Sequence, residues 1–130
     1  MRSSLITRVC RRCGLASADL SLYLKAKNCP SGRDNLCKPC ANVRTRETQA
    51  RLKALVDVLK DRPCDDCGVA YAPHIMDWDH RPSEVKVMGV SRMRVSGSEA
   101  RVRAEIAKCD LVCANCHRQR TQERNLVGSL

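Results

Sequence analysis

Four Cys-x-x-Cys pairs fall within this 130-residue chain: Cys10/Cys13, Cys37/Cys40, Cys64/Cys67 and Cys113/Cys116. Two thiolates three positions apart can grip one metal ion from a tight turn, and two such pairs complete a tetrahedral Zn²⁺ site. Sequential pairing leaves 23 residues between Cys13 and Cys37 and 45 between Cys67 and Cys113. The spacing therefore predicts two zinc-stapled modules. The chain has no Phe, one Trp (Trp78) and two Tyr (Tyr23, Tyr71), so large aromatic anchors for a core are nearly absent. Structural zinc can supply the missing folding energy, roughly 10 kcal/mol or more in small zinc peptides, which makes the metal a condition of the fold.

Ten cysteines could instead build disulfides, as in small secreted scaffolds. Met1 to Arg12 holds no apolar run of signal-peptide length, and no segment approaches the ~20 apolar residues of a membrane span. This points to a reducing, cytoplasmic location and to zinc, with no membrane partner. Redox chemistry at the pairs lacks the βαβ pattern that would accompany it. Cys29 and Cys109 are left over and are expected to be small apolar residues, buried or partly so. The formal net charge is +10 with every thiol neutral. Two Zn²⁺ sites of four thiolates each would bring it to about +6. A basic excess of that size favours a polyanionic partner, nucleic acid above all.

Along the chain, residues 1–43 are expected to form a zinc ribbon-like module containing both Leu20, Leu22, Leu24 and the turn-like Asn28-Cys29-Pro30-Ser31-Gly32. Over 44–62, Leu52, Leu55, Val56 and Leu59 recur at helical spacing among Arg and Lys, which predicts a linking amphipathic helix ended by Pro63. Residues 63–125 make the second module, and 126–130 a tail expected to fray. Within that module, residues 74–80 read as a short strand halted by Arg81-Pro82. Ser96-Gly97-Ser98-Glu99 offers a capping box from Ser96 to Glu99, opening a helix to about Lys108. Asp110 to Val112 is a second brief strand, and a basic helix begins at His117. Trp78 is expected in the core and His74 on the surface.

Closing Cys64, Cys67, Cys113 and Cys116 on one ion would bring the strand end Asp79-His80 close to the start of the His117 helix. One small volume would then hold a carboxylate and two imidazoles. Asp and His suit a second, catalytic divalent ion, and an imidazole with pKa near ~6.5 can take a proton from water at neutral pH. Asp77 alternates with Asp79 and would share its face on a regular strand.

Cys64-Asp65-Asp66-Cys67, Asp77-Trp78-Asp79-His80 and Cys113-Ala114-Asn115-Cys116-His117-Arg118 together resemble the HNH nucleases, in particular the small zinc-stapled HNH endonucleases of bacteriophages and bacteria. The resemblance covers roughly residues 64 to 125. It implies a small, zinc-stabilised α+β fold whose C-terminal module is ββα-metal. It also implies that Asp79 and His117 hold a catalytic cation (Mg²⁺, Mn²⁺ or another transition metal), with His80 as the general base that activates water. DNA would be cut to 5′-phosphate and 3′-hydroxyl ends. In many members an Asn lies five residues before the third zinc cysteine, where this chain has Lys108. Its own Asn115 lies in the last metal turn, as in members ending Cys-x-Asn-Cys-His, and the resemblance gives it either the orientation of His80 or completion of the site. Arg118 and Arg120 are expected to hold phosphates near the cut. The first module is similar to zinc-ribbon segments found ahead of such cores. Two rival expectations use the same residues: a non-catalytic zinc-finger nucleic-acid binder, and a component of a phage packaging machine active only beside a large-terminase-type partner.

Overall fold

A computed structural model describes residues 7–128, the side chain of Ser96 excepted. The chain divides into two compact units, Met1–Thr48 and Gln49–Leu130. Residues 1–6 of the expected first module, and Ser129 and Leu130 of the expected tail, lie outside the described residues.

In the first unit, β1 (Arg8–Val9) and β2 (Ala16–Ser17) pair antiparallel on either side of the Cys10–Cys13 turn. Gly14 closes that turn at φ +77°, a left-handed conformation that costs glycine nothing and strains any residue with a Cβ. A 3-10 turn at Leu20–Leu22, capped by Asp19, leads into β3 (Tyr23–Lys25), which pairs antiparallel with β4 (Arg33–Cys37). The helix α1 (Lys38–Leu59) follows without a loop. Tyr23 is fully buried against Cys10 and Cys37, its hydroxyl 2.7 Å from the Arg8 carbonyl and 2.8 Å from that of Leu15.

The second unit contains residues 49–59 of α1, a metal turn at Cys64–Cys67 closed by Gly68 at φ +73°, and a 3-10 turn at Pro73–Ile75. Next come β5 (Met76–His80), α2 (Val90–Ser96), α3 (Glu99–Ile106), β6 (Cys109–Cys113) and α4 (Ala114–Gly128). The strands pair antiparallel from Met76↔Cys113 to His80↔Cys109. Leu52 and Val56 of α1 bury against Val90, Met93, Val102 and Cys109, while Met76, Leu111 and Val112 pack beside Cys64 and Cys113. Trp78 touches both clusters and is the core's one indole, as its isolation in the sequence implied.

Both units repeat one plan. Cys10 N–H donates to Leu15 O (2.8 Å) and Gly14 N–H to Cys10 O (3.0 Å); Cys64 N–H donates to Val69 O and Gly68 N–H to Cys64 O, both at 2.9 Å. A hairpin follows in each, its first strand opening opposite the third cysteine, Tyr23↔Cys37 and Met76↔Cys113. That third cysteine ends a strand, and the fourth lies in the first turn of a helix. The expected ribbon-like module is therefore a metal turn, a hairpin and a helix start.

Several boundaries move for physical reasons. The helix expected from residue 44 starts at Lys38, because Pro39 falls in its first turn, where the missing N–H is not needed. The helix expected from His117 starts at Ala114, so Cys-Ala-Asn-Cys is the strand end and first helical turn together. Ser96 closes α2, and Ser98 caps α3 instead, its side chain accepting from Arg101 N–H at 3.4 Å. The tail expected over 126–130 is helical through Gly128. Cys109 is buried and donates its thiol to the Glu105 carbonyl at 3.3 Å, and Cys29 is half-buried. No helix among the described residues is long and apolar enough to cross a membrane.

Candidate functional site

Cys10, Cys13, Cys37 and Cys40 form one metal-ligating group and Cys64, Cys67, Cys113 and Cys116 another, the four sulfurs of each within 4.8 Å of one another. Sulfurs about 2.3 Å from a tetrahedral zinc lie about 3.8 Å apart. Cys13 and Cys37 Sγ are 3.7 Å apart and Cys67 and Cys113 Sγ 4.0 Å, so both groups fit zinc. The backbone prepares one thiolate in each group, Cys10 and Cys64, while neighbouring thiols and burial push Cys40 and Cys116 up to about 12. Cys64 Sγ accepts the Cys113 N–H at 3.3 Å, and Cys113 Sγ accepts the Cys116 N–H at 3.5 Å, capping the start of α4. Burial raises the Cys64 thiol, but N–H groups of Cys67, Cys113 and Asp66 outweigh it and bring it down to about 6. In the first unit, N–H groups of Cys13 and Cys37 lower Cys10 to about 6.

The hairpin of the second unit sorts the remaining chemistry by strand alternation. Asp77 and Asp79 turn toward α4, and His117 lies between them: its Nδ1 is 3.0 Å from Asp77 Oδ2 and its Nε2 3.7 Å from Asp79 Oδ1. Asp79 is buried, and Arg124 meets both its oxygens at 2.9 and 2.8 Å. Arg120 adds a third contact at 3.0 Å. Burial pushes the Asp79 carboxyl up, and the guanidiniums of Arg124 and Arg120 more than offset it, holding it below the usual carboxylate range.

His80 turns the other way. Its Nε2 is 2.7 Å from Oε1 of Glu105, a residue of α3 only 2% exposed. The same carboxylate accepts Val87 N–H at 3.0 Å and the Lys108 ammonium at 3.0 Å. Burial alone would raise Glu105; the donors of Lys108, Val87, His80 and Met88 win and take it down to about 2. An ionised carboxylate only accepts, so Nε2 carries the proton, and in the neutral ring Nδ1 keeps the open lone pair.

Side chains from both faces of β5 reach a cleft of about 200 Å³, lined by Asp77, Trp78, His80, His117, Lys60 and Lys86. Of the three residues expected to converge, His80 and His117 both line the cleft, whereas Asp79 meets His117 at 3.7 Å but does not line it. Asp79 is buried, and the carboxylate that lines the cleft beside the two imidazoles is that of Asp77.

Asn115 does not join them. It is exposed two positions before His117 on α4, about 200° around the helix, and Glu105 takes the His80 nitrogen whose orientation was one of the two roles expected of Asn115. Arg118 is exposed. Arg120 is bidentate to Asp66 at 2.6 and 2.7 Å and shared with Asp79 and Asp110, so it braces α4. His74 is exposed. Sequence reasoning missed Glu105, which looks like one more surface acid of a charged helix. Its one signal is that it falls on the face of α3 that carries Val102, three positions earlier.

A divalent cation at Asp79 and His117 can be tested on distance. Two donors about 2.1 Å from one ion lie up to about 4.2 Å apart, and 3.7 Å from Asp79 Oδ1 to His117 Nε2 fits. A carboxylate and an imidazole suit Mg²⁺, Mn²⁺ or a later transition metal. Among the described residues, the groups with three or more metal-ligating side chains are the two cysteine sets, so such a cation would take its other ligands from water or substrate. No family model, no curated protein and no solved structure matches this chain.

Proposed function

We propose that the chain is a metal-dependent endonuclease of the HNH kind that hydrolyses DNA phosphodiester bonds. The observation that carries this reading is the convergence of His80 and His117 on one cleft, with His80 fixed by a buried, ionised Glu105. A module that only bound zinc and DNA would have no use for an imidazole aligned in this way.

Asp79 and His117 would hold the catalytic cation, which when bound supplies Lewis-acid stabilisation of charge on the phosphate and the departing 3′ oxygen. His80 takes the proton of the attacking water at Nδ1, and the charge of Glu105, 2.7 Å from Nε2, stabilises the imidazolium that forms. Lys60 and Lys86, on the cleft walls, offset phosphate charge as the water attacks. Asp77 steadies His117 through Nδ1, which leaves Nε2 as the ligand nitrogen.

The non-catalytic reading draws on one observation of its own. Both oxygens of Asp79 are already satisfied by Arg124 and Arg120, as those of a purely structural carboxylate would be. Zinc-loaded protein with supercoiled plasmid and Mg²⁺ or Mn²⁺, beside a His80→Ala variant, separates the two. Nicking by the wild type and a loss of about 10²-fold or more in the variant are expected. No nicking in any divalent metal, or equal nicking by the variant, would leave the binder as the better account.

A further inference from the structure

The cleft does not end at its catalytic groups. It shares Lys60 and Ser91 with a second, larger groove of about 350 Å³, whose other walls include Lys53, Asp57, His74 and Arg94. The two cavities adjoin at Lys60 and Ser91, and together they trace a channel-like path past α1, α2 and the 3-10 turn at Pro73–Ile75, all within the second unit.

Cations outnumber carboxylates along this path, four against Asp57 in the outer groove and Asp77 in the cleft. Lys53, Lys60, Lys86 and Arg94 line it, and along the outer groove the opposing carboxylate is Asp57, paired with Lys53 at 2.6 Å. Two of the cations are held in place by backbone. Lys60 Nζ donates to the Pro73 carbonyl at 3.3 Å, and Arg94 Nε to the Ser91 carbonyl at 3.2 Å. On α4, Arg120 and Arg124 are neutralised by Asp66, Asp79 and Asp110, while Arg118 is exposed.

We infer that this channel is the track for the DNA strand being cut, with Lys60 and Arg94 seating consecutive backbone phosphates on the far side of the cleft from α4. A repeating chain of negative charges fits a basic groove adjoining the cleft, where a lone small anion would need only one of the two cavities. The groups that meet are cations and phosphates, so they position the strand and carry no base preference. The track rests on the nuclease reading for its polyanion, yet binding alone tests it.

The test is fluorescence anisotropy of a labelled duplex with the full, zinc-loaded chain over a salt series, without added catalytic cation. For Lys60→Gln/Arg94→Gln the slope of log affinity against log salt should become shallower by about 1.8, about 0.9 for each duplex phosphate no longer neutralised. On a single-stranded oligonucleotide the change should be about 0.7 for each phosphate. A second double variant, Lys53→Gln/Lys86→Gln, alters exposed side chains and keeps the test open if the first fails to hold zinc. Arg101→Gln/Arg103→Gln on α3 should leave the slope unchanged. Wild-type slopes in both channel variants, an equal loss in the α3 control, or no binding by the wild type at about 0.05 M salt would each overturn the inference. Channel-dependent binding without any nicking would keep the inference and sink the nuclease reading. Nicking by a protein whose channel variants bind like wild type would do the reverse.

Discussion

Glu105 is the residue on which the proposed chemistry turns, although it touches no substrate. Its carboxylate, 2% exposed, collects His80, Lys108 and two backbone N–H groups, so removing its charge leaves several donors buried without a full partner. Glu105→Gln keeps the volume and one acceptor oxygen and deletes the charge. Turnover should fall about 10- to 100-fold, as for other groups that orient an active-site imidazole. ¹⁵N NMR of the imidazoles provides a readout that needs no activity: His80 should show protonated Nε2 and bare Nδ1 in the wild type, and a mixture of tautomers in the variant. A wild-type tautomer pattern in the variant, with undiminished turnover, would remove Glu105 from the site. At this scale the sequence displayed one half of the pair and concealed the other. Asp79-His80 and His117 are legible because metal and acid-base chemistry is confined to a few residue types beside the cysteines. Glu105 meets His80 across 25 residues of chain, and nothing local marks it as buried.

Among the elements, the two short helices between β5 and β6 depend on a single glycine. A Cβ on Gly97 would lie 2.6 Å from the Met93 carbonyl oxygen and 2.8 Å from Met93 Cγ, and Met93 is itself core. Backbone cannot yield as a flexible side chain can. Gly97→Ala should therefore destabilise the zinc-loaded protein by about 1 to 3 kcal/mol, read from the shift of its urea midpoint, whereas Gly89→Ala meets open space and should shift it far less. The longer elements were readable in advance: Leu52 and Val56 are buried where helical spacing placed them, and β5 and β6 fall within two residues of the strands expected over 74–80 and 110–112. What escaped was α2, seven residues long with Val90 and Met93 as its buried pair, too short a repeat to reveal a helical period. The starts of α1 and α4 escaped for another reason. A metal-binding pair looks like a turn in sequence, and here each second pair is half strand and half helix.

For the molecule as a whole, the metal content sets the conditions of survival. Elemental analysis should find two tightly held zinc ions, one for each cysteine group, and a strong chelator should unfold the chain. Acid should act through the same groups. Cys64 stands at about 6, below its ordinary 9.0, so the stability it contributes is fully present above the ordinary value and is lost as pH falls through 6. Zinc competes with protons for that thiolate, so release of the metal should begin near or below pH 6 on acidification, followed with a chromogenic chelator alongside circular dichroism. Zinc retained down to pH 4 would contradict this assignment. The repeated plan of the two units has a different consequence. Where the second unit has His117 immediately after its fourth cysteine, the first has Ala41, and where the second has Asp77 one step into its hairpin, the first has Leu24. One chain thus presents the same clamp with and without the imidazole and carboxylate beside it, and the first unit serves as a built-in negative control for whatever the second is found to do.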